Sequence, residues 1–302
     1  MSGWQVGMAG SRSGAGGGRA AAGRVAVAAL CLVALARGVP AWAADLPASL
    51  AALVALPRCE FEVVREYPHR RSAFTQGLAF AEGRLFEGTG LNGRSSVAEI
   101  DLPSGQVLHE TPTPRAAFGE GVTVLGERLV QLTWREGAGF VYRRDGLTPN
   151  GEFKLAGEGW GLTHDGRRLV VSDGTPVIRF LDPQGFAETG RVTVRAGGRG
   201  LAGLNELEWV AGELLANVWP TSVLVRLDPN SGQVLGWLDL GPLRARQGPV
   251  SAEAVPNGIA YDPEGRRLIF TGKLWARMYE VRPQGPGCGA LAEAVAAPPG
   301  RE

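Results

Sequence analysis

Residues 74–90, FTQGLAFAEGRLFEGTG, read as a short alternating strand, a Glu-Gly turn and a second apolar strand. The same arrangement returns four times: FGEGVTVLGERLVQLTW (118–134), EGWGLTHDGRRLVVSDG (158–174), GLNELEWVAGELLANVW (203–219) and VPNGIAYDPEGRRLIFTGK (255–273). Equivalent positions, Gln76, Glu120, Trp160, Asn205 and Asn257, are spaced by 44, 40, 45 and 52 residues. Between these segments lies a second recurring element, an apolar strand entering an Asp-Pro or Asp-Gly turn: AEIDLPSGQVLHE, VYRRDGLTPNGEF, IRFLDPQGFAETGRV, VRLDPNSGQVLGWL and, shifted, MYEVRPQG. Two hairpins per repeat and five repeats predict an all-β, five-bladed β-propeller with four-stranded antiparallel blades around a central channel. A sandwich would not require one motif to return five times. EFEVVREYP (60–68) precedes the first repeat and is expected to pair with the C-terminal strands, closing the ring and removing exposed edges. A short helix is expected near GPLRAR (241–246) and no other after residue 60.

The N-terminal part differs in kind. Arg12, Arg19 and Arg24 precede the apolar run VAVAALCLVALA (25–36), and VPAWA then ends in small residues at Ala41 and Ala43. This is the pattern of a secretory signal cleaved after Ala43, and it predicts an exported protein, periplasmic or secreted. A lipidated Cys31 is disfavoured because Leu30 stands where a small residue is wanted. The expected organisation is therefore signal 1–43, lead-in 44–59, propeller 60–285 and a poorly ordered tail 286–302. Cleavage removes Arg12, Arg19, Arg24 and Arg37 and no acidic residue, taking the formal charge from +1 to −3. That balance gives no sign of a nucleic-acid partner. No later segment has the roughly 20 apolar residues of a membrane helix, so the mature chain is expected to be soluble and, as a closed propeller, a monomer. Cys59 and Cys288 remain, one near each end of the mature chain, either as a disulfide fastening the ends or as two unpaired thiols.

In a propeller the innermost strands converge on the axis, so Gln76, Glu120, Trp160, Asn205 and Asn257 should form a ring. Four of the five are polar, where a purely structural ring would be apolar or small. The ends of the second strands offer Thr89, Trp134, Asp173, Trp219 and Lys273 to the same mouth. Together they form the inventory of a small polar pocket with aromatic walls. Other chemistries find little support. The histidines, His69, His109 and His164, have no ligand spacing, no Gly-Lys-Ser/Thr phosphate loop is present, and no Gly-x-Ser-x-Gly elbow exists.

The phrases YPHRRSAFTQGL, FGEGVT, LTW, GEGWGLT, SDGT, LNELEW, ANVWPT, NGIAYD and TGKLW, in that order between Phe61 and Val281, resemble the plant-type glutaminyl-peptide cyclotransferases and their bacterial relatives. The resemblance implies a five-bladed propeller that converts N-terminal glutamine of peptides to pyroglutamate with release of ammonia, without zinc or another cofactor. Carried over residue by residue, it implies Glu120 as the catalytic acid and Lys273 and Asn205 as functional residues; the chemistry of cyclisation then gives Glu120 the role of base as well as acid, and Lys273 and Asn205 that of oxyanion donors. Phe74, Gln76, Phe118, Trp160 and Trp219 are implied as substrate-binding residues. The chain departs from the family around PHRRSAF and FEGTG, which leaves the acid untouched. Two other readings are carried forward. A calcium-dependent propeller lactonase could use Glu120, Asn205, Asn257 and Asp173, although the Lys273 amine would oppose a divalent cation there. A non-enzymatic binding propeller would explain the blades but not the polar ring.

Overall fold

The computed structural model describes residues 46–296, so the expected signal at 1–43 lies outside the described residues. Five four-stranded sheets follow one another along the chain. Blade 1 runs Thr75–Ala81, Arg84–Thr89, Ser96–Asp101 and Gln106–Pro112, with each strand hydrogen-bonded to the next in antiparallel register. Blades 2, 3 and 4 repeat this order, starting from the inner strands Gly119–Leu125, Leu162–His164 and Leu204–Val210. Blade 5 takes Pro256–Asp262, Arg267–Gly272 and Arg277–Gln284 from the C-terminal part, and its outer strand is Glu60–Pro68 from the N-terminal part. The all-β five-bladed propeller expected from the repeats is the observed fold, and the ring closes by the expected pairing.

Local sequence explains the hairpins and their order. Glu82-Gly83 and Ala211-Gly212 place two successive residues at positive φ (51° and 75°, 51° and 86°), the backbone needed by a two-residue turn whose twist matches the strands it joins. Position within a blade is written in hydrophobicity. The inner strand Gly119–Leu125 is buried along nearly its whole length, whereas the outer strand Pro149–Lys154 exposes all but Phe153. Apolar side chains from adjacent blades meet between the sheets, as where Leu78, Leu85 and Ala98 of blade 1 pack on Ala260, Ile269 and Met278 of blade 5.

Two terminal segments are more structured than expected. The lead-in forms a helix, α1 (Leu46–Leu53), whose Leu53 is buried with Val170, Ile178 and Leu204 of blades 3 and 4, and Ser49 Oγ donates to the Gly200 carbonyl at 2.8 Å. The expected short helix is α2 (Gly241–Ala245). Of the tail expected to be poorly ordered, Pro286–Cys288 form a 3-10 turn and Ala290–Val295 a helix, α3, while 297–302 lie outside the described residues. Leu291 and Val295, four residues apart and thus on one helical face, are buried with Phe270, Tyr279 and Val281. Arg266 Nε and Tyr261 Oη each donate at 3.1 Å to the Ala294 carbonyl at the end of that helix.

Cys59 and Cys288 form a disulfide, with Cα atoms 4.4 Å apart across a sequence separation of 229. It joins the residue before the outer strand of blade 5 to the turn after its neighbour, so it fastens the closure seam. A crosslink closing so long a loop is worth about 5 kcal/mol by chain entropy. Replacing both cysteines by alanine is therefore expected to lower Tm by roughly 10 °C while preserving the β-sheet circular dichroism. An unchanged Tm would show that strand pairing alone holds the seam.

Candidate active site

Each inner strand ends its sheet, so its channel-facing amides and carbonyls have no neighbouring strand to bond. In four blades the inner strand also bulges at the same repeat position. The register shifts between Thr75 and Gly77, Gly119 and Val122, Leu204 and Leu207, and Pro256 and Ile259. The residues inside these bulges include Gln76, Glu120, Asn205 and Asn257. A bulge re-aims side chains that would otherwise follow the alternation of the strand, so the repeat positions that looked equivalent in sequence share one backbone distortion. Trp160 takes the fifth place, just before the inner strand of blade 3, with its amide donating to the Ser172 carbonyl at 2.9 Å.

The strands approach one another very closely. A Cβ at Gly161 would lie 2.0 Å from the Asn205 carbonyl oxygen, and one at Gly77 would lie 2.6 Å from the Val122 amide nitrogen. Buried polar groups from one blade therefore reach another. Gln76 Nε2 donates to Glu120 Oε1 at 3.0 Å, and among the described residues no protein group donates to Oε2. Burial pushes the Glu120 carboxyl well above the usual carboxylate range; Lys273 opposes that shift, and Glu136 and Glu158 add to it. Burial likewise lowers the Lys273 ammonium to about 8, against the pull of Glu120 and Glu253. Its Nζ stands 4.7 Å above the Phe74 ring, an attraction of a cation to the ring face.

Aromatic groups surround this centre. Phe74 meets Phe118 edge to face at 6.3 Å, Phe118 meets Trp134 at 5.5 Å, and Trp160 meets Trp219 at 5.8 Å. Trp219 is 36% exposed and marks the solvent side. Glu158, which the sequence did not single out, joins the two halves of the wall. Its Oε2 accepts from both Trp134 Nε1 and Trp160 Nε1 at 2.9 Å, and Arg135 Nε donates to its Oε1 at 2.9 Å. Asn205 is buried in the blade 4 bulge, and among the described residues its Oδ1 has no hydrogen-bond partner. All eight sequence-predicted site residues thus lie in the bulges or the rim around them.

Two expected channel residues take other tasks. Asp173 Oδ1 accepts from the Thr175 amide at 3.0 Å, while Oδ2 lies 3.6 Å from Arg179 Nε, so this carboxylate is bound up in its own turn. Thr89 Oγ1 accepts from the Ser96 amide at 3.0 Å within blade 1. The remaining carboxyls of the set do not gather for a cation: no cluster of three His, Cys, Asp or Glu with ligand geometry occurs among the described residues.

Sequence reasoning also missed buried groups that hold the ring together. Glu206 Oε1 accepts from the Leu78 amide of blade 1 at 3.1 Å. Glu208 Oε1 accepts from the Tyr261 amide at 2.8 Å, and Thr163 Oγ1 donates to its Oε2 at 3.1 Å. These carboxyls satisfy inner-strand amides that no strand can reach. His69, read in the sequence only as lacking ligand spacing, lies buried between Glu87 Oε1 at 2.8 Å and the Trp275 carbonyl at 2.9 Å, and Thr75 Oγ1 donates to the same Glu87 oxygen at 2.7 Å. This network ties the blade 1 bulge to the loop that carries Lys273.

A closed propeller with a desolvated carboxyl, an amine and an indole-lined mouth defines an enzyme built for proton transfer on a small polar group. Residues 31–283 match the family model described as glutamine cyclotransferase. Over 228 residues the chain is 42% identical to the glutaminyl-peptide cyclotransferase of Arabidopsis thaliana, covering 74% of this chain and 71% of that one. The crystal structure of Myxococcus xanthus glutaminyl cyclase superposes with a TM-score of 0.72 at 38% identity, covering 76% of this chain and 98% of that one. The chain belongs to the glutamine cyclotransferase family.

Burial also raises the Glu208 carboxyl, to about 8. Because its folded pKa lies above that of an unfolded glutamate, protonation favours the folded state. The resulting penalty is absent below pH about 4 and grows until pH passes about 8. Glu208→Gln should therefore raise Tm at pH 8 and leave it nearly unchanged at pH 4. A gain of equal size at both values would contradict the assignment.

Proposed function

We propose that this protein cyclises the N-terminal glutamine of exported peptides and proteins to pyroglutamate, with Glu120 as both base and acid. The observation that carries this reading is the state of Glu120: buried, held by Gln76 through one oxygen, without a donor at the other among the described residues, and under the charge of Lys273. The substrate α-amine, entering as the neutral base, attacks its own γ-carbonyl carbon. As the carbon–nitrogen bond forms, the amine proton passes to Glu120. A carboxyl disfavoured in its ionised form by burial is a stronger base than a solvated one, which suits that transfer.

The oxygen of the tetrahedral intermediate carries the developing charge, and the Lys273 ammonium with the Asn205 side-chain amide are its assigned donors. Glu120 then returns the proton to the γ-nitrogen, the bond to that nitrogen breaks, and ammonia leaves. Phe74, Phe118, Trp160 and Trp219 confine the glutamine side chain in its folded conformation, so ring closure starts from an oriented pair. Every step is supplied by side chains of this chain, and activity is expected to survive treatment with a chelator. The leader-like N-terminus supports an exported location. The lactonase reading loses Asp173 to its turn and must accommodate Lys273 beside a cation.

The test is ammonia release from a Gln-initiated dipeptide, with pyroglutamate followed by mass spectrometry. Glu120→Gln should lower kcat by at least about 100-fold; retained activity would refute the assignment. Lys273 supports the reaction as the cation, so kcat/KM should fall as pH rises through about 8. Lys273→Arg, which stays charged, should move that basic limb upward, and Lys273→Met should cost on the order of 100-fold below pH about 8 and progressively less above it, where the wild-type amine has lost its charge.

A further inference from the structure

Asn257 occupies the bulge of blade 5 but is not among the residues assigned to the reaction. It is buried, and its Nδ2 donates to the Thr75 carbonyl at 3.0 Å and to Gln76 Oε1 at 3.3 Å. Gln76 Nε2 in turn donates to Glu120 Oε1 at 3.0 Å. The direction of this chain is forced. A backbone carbonyl can only accept, so the Asn257 amide must turn its nitrogen toward Thr75. That nitrogen carries a second N–H, which selects the oxygen of Gln76 and leaves the Gln76 nitrogen facing the carboxyl. Without Asn257 the Gln76 amide is free to turn over and set an oxygen against Glu120.

We infer that Asn257 is a positioning residue for the reaction, transmitting the polarity of the Thr75 carbonyl through the Gln76 amide to Glu120. The three residues belong to blades 5, 1 and 2, so the arrangement spans the seam between the last and first repeats. A donor aimed at Oε1 favours the ionised carboxyl; an acceptor in its place favours the protonated one. Asn257 thus holds Glu120 in a form able to take the amine proton. The other charged groups acting on Glu120 are Lys273, Glu136 and Glu158, none of which contacts Asn257. Among the described residues Asn257 Oδ1 has no hydrogen-bond partner, so the side chain is anchored there through its donor end.

The inference rests on Glu120 as the proton-transfer group, but its test needs no substrate. In protein labelled with carbon-13 at glutamate side-chain carboxyls, the Glu120 resonance is assigned by its loss in Glu120→Gln and titrated by NMR. Asn257→Ala is expected to raise its midpoint by about one pH unit. Gln76→Met should raise it as well, and Asn257→Ala added to Gln76→Met should cause no further change, since Asn257 acts through Gln76. In kinetics with a Gln-initiated dipeptide, Asn257→Ala should move the acidic limb of kcat upward by the same amount, with KM altered less than 3-fold. An unchanged midpoint in Asn257→Ala, or a shift that adds to that of Gln76→Met, overturns the inference. If Asn257→Ala lacks native circular dichroism, Asn257→Ser carries the same titration, and an unchanged midpoint there is equally decisive. Absence of ammonia release with a normal titration pattern would fault the proposed function and leave Asn257's role standing.

Discussion

Five sheet edges meet in one narrow channel, and their unpaired backbone groups must be satisfied out of contact with bulk water. An unpaired buried amide costs on the order of 1–3 kcal/mol, and a ring of five edges would present many. The fold answers with polar side chains placed where an apolar core would otherwise be expected. Glu206 and Glu208 take up amides of blades 1 and 5, Ser172 Oγ accepts the Gly161 amide, and Asn217 Oδ1 accepts the Gly258 amide at 3.4 Å. Buried carboxyls are thus a structural requirement of the channel, and a catalytic one is a small departure from that pattern.

The departure is one of partners. Each Glu208 oxygen accepts a hydrogen bond, one from an amide and one from a hydroxyl, whereas among the described residues Glu120 has a donor, Gln76, at one oxygen only. Both are raised by burial, but only Glu120 faces an amine and an aromatic mouth. The indoles do more than exclude water. Glu158 fixes Trp134 and Trp160 through their ring nitrogens, so the wall keeps its shape when the mouth is open.

Much of this was legible in the amino-acid order. Alternation and turn residues repeated five times, which was enough to place Gln76, Glu120, Trp160, Asn205 and Asn257 at one level of the channel. What lay out of reach was what each side chain touches. The chain of hydrogen bonds that links the Thr75 carbonyl through Asn257 and Gln76 to Glu120 depends on a bulge register that no local pattern encodes. Asp173 shares its repeat position with Lys273, yet its own Thr175 claims it two residues later. One signal was present but unused: glycine follows the ring residue in four repeats, at 77, 121, 161 and 258, where strands nearly touch, and Glu206 replaces it in the fourth. Helix α3 escaped notice because two apolar residues in a six-residue, Ala-rich segment make a weak periodic signal.

The central claim, that the ring around Glu120 receives an N-terminal glutamine, is tested most directly by a crystal structure of Glu120→Gln with a Gln-initiated dipeptide. The substrate α-amine is expected within about 3 Å of the residue 120 side chain, with the γ-carbonyl oxygen directed at Lys273 and Asn205 and the second residue leaving past Trp219. A dipeptide bound outside the ring, or with its amine turned away from position 120, would contradict the account.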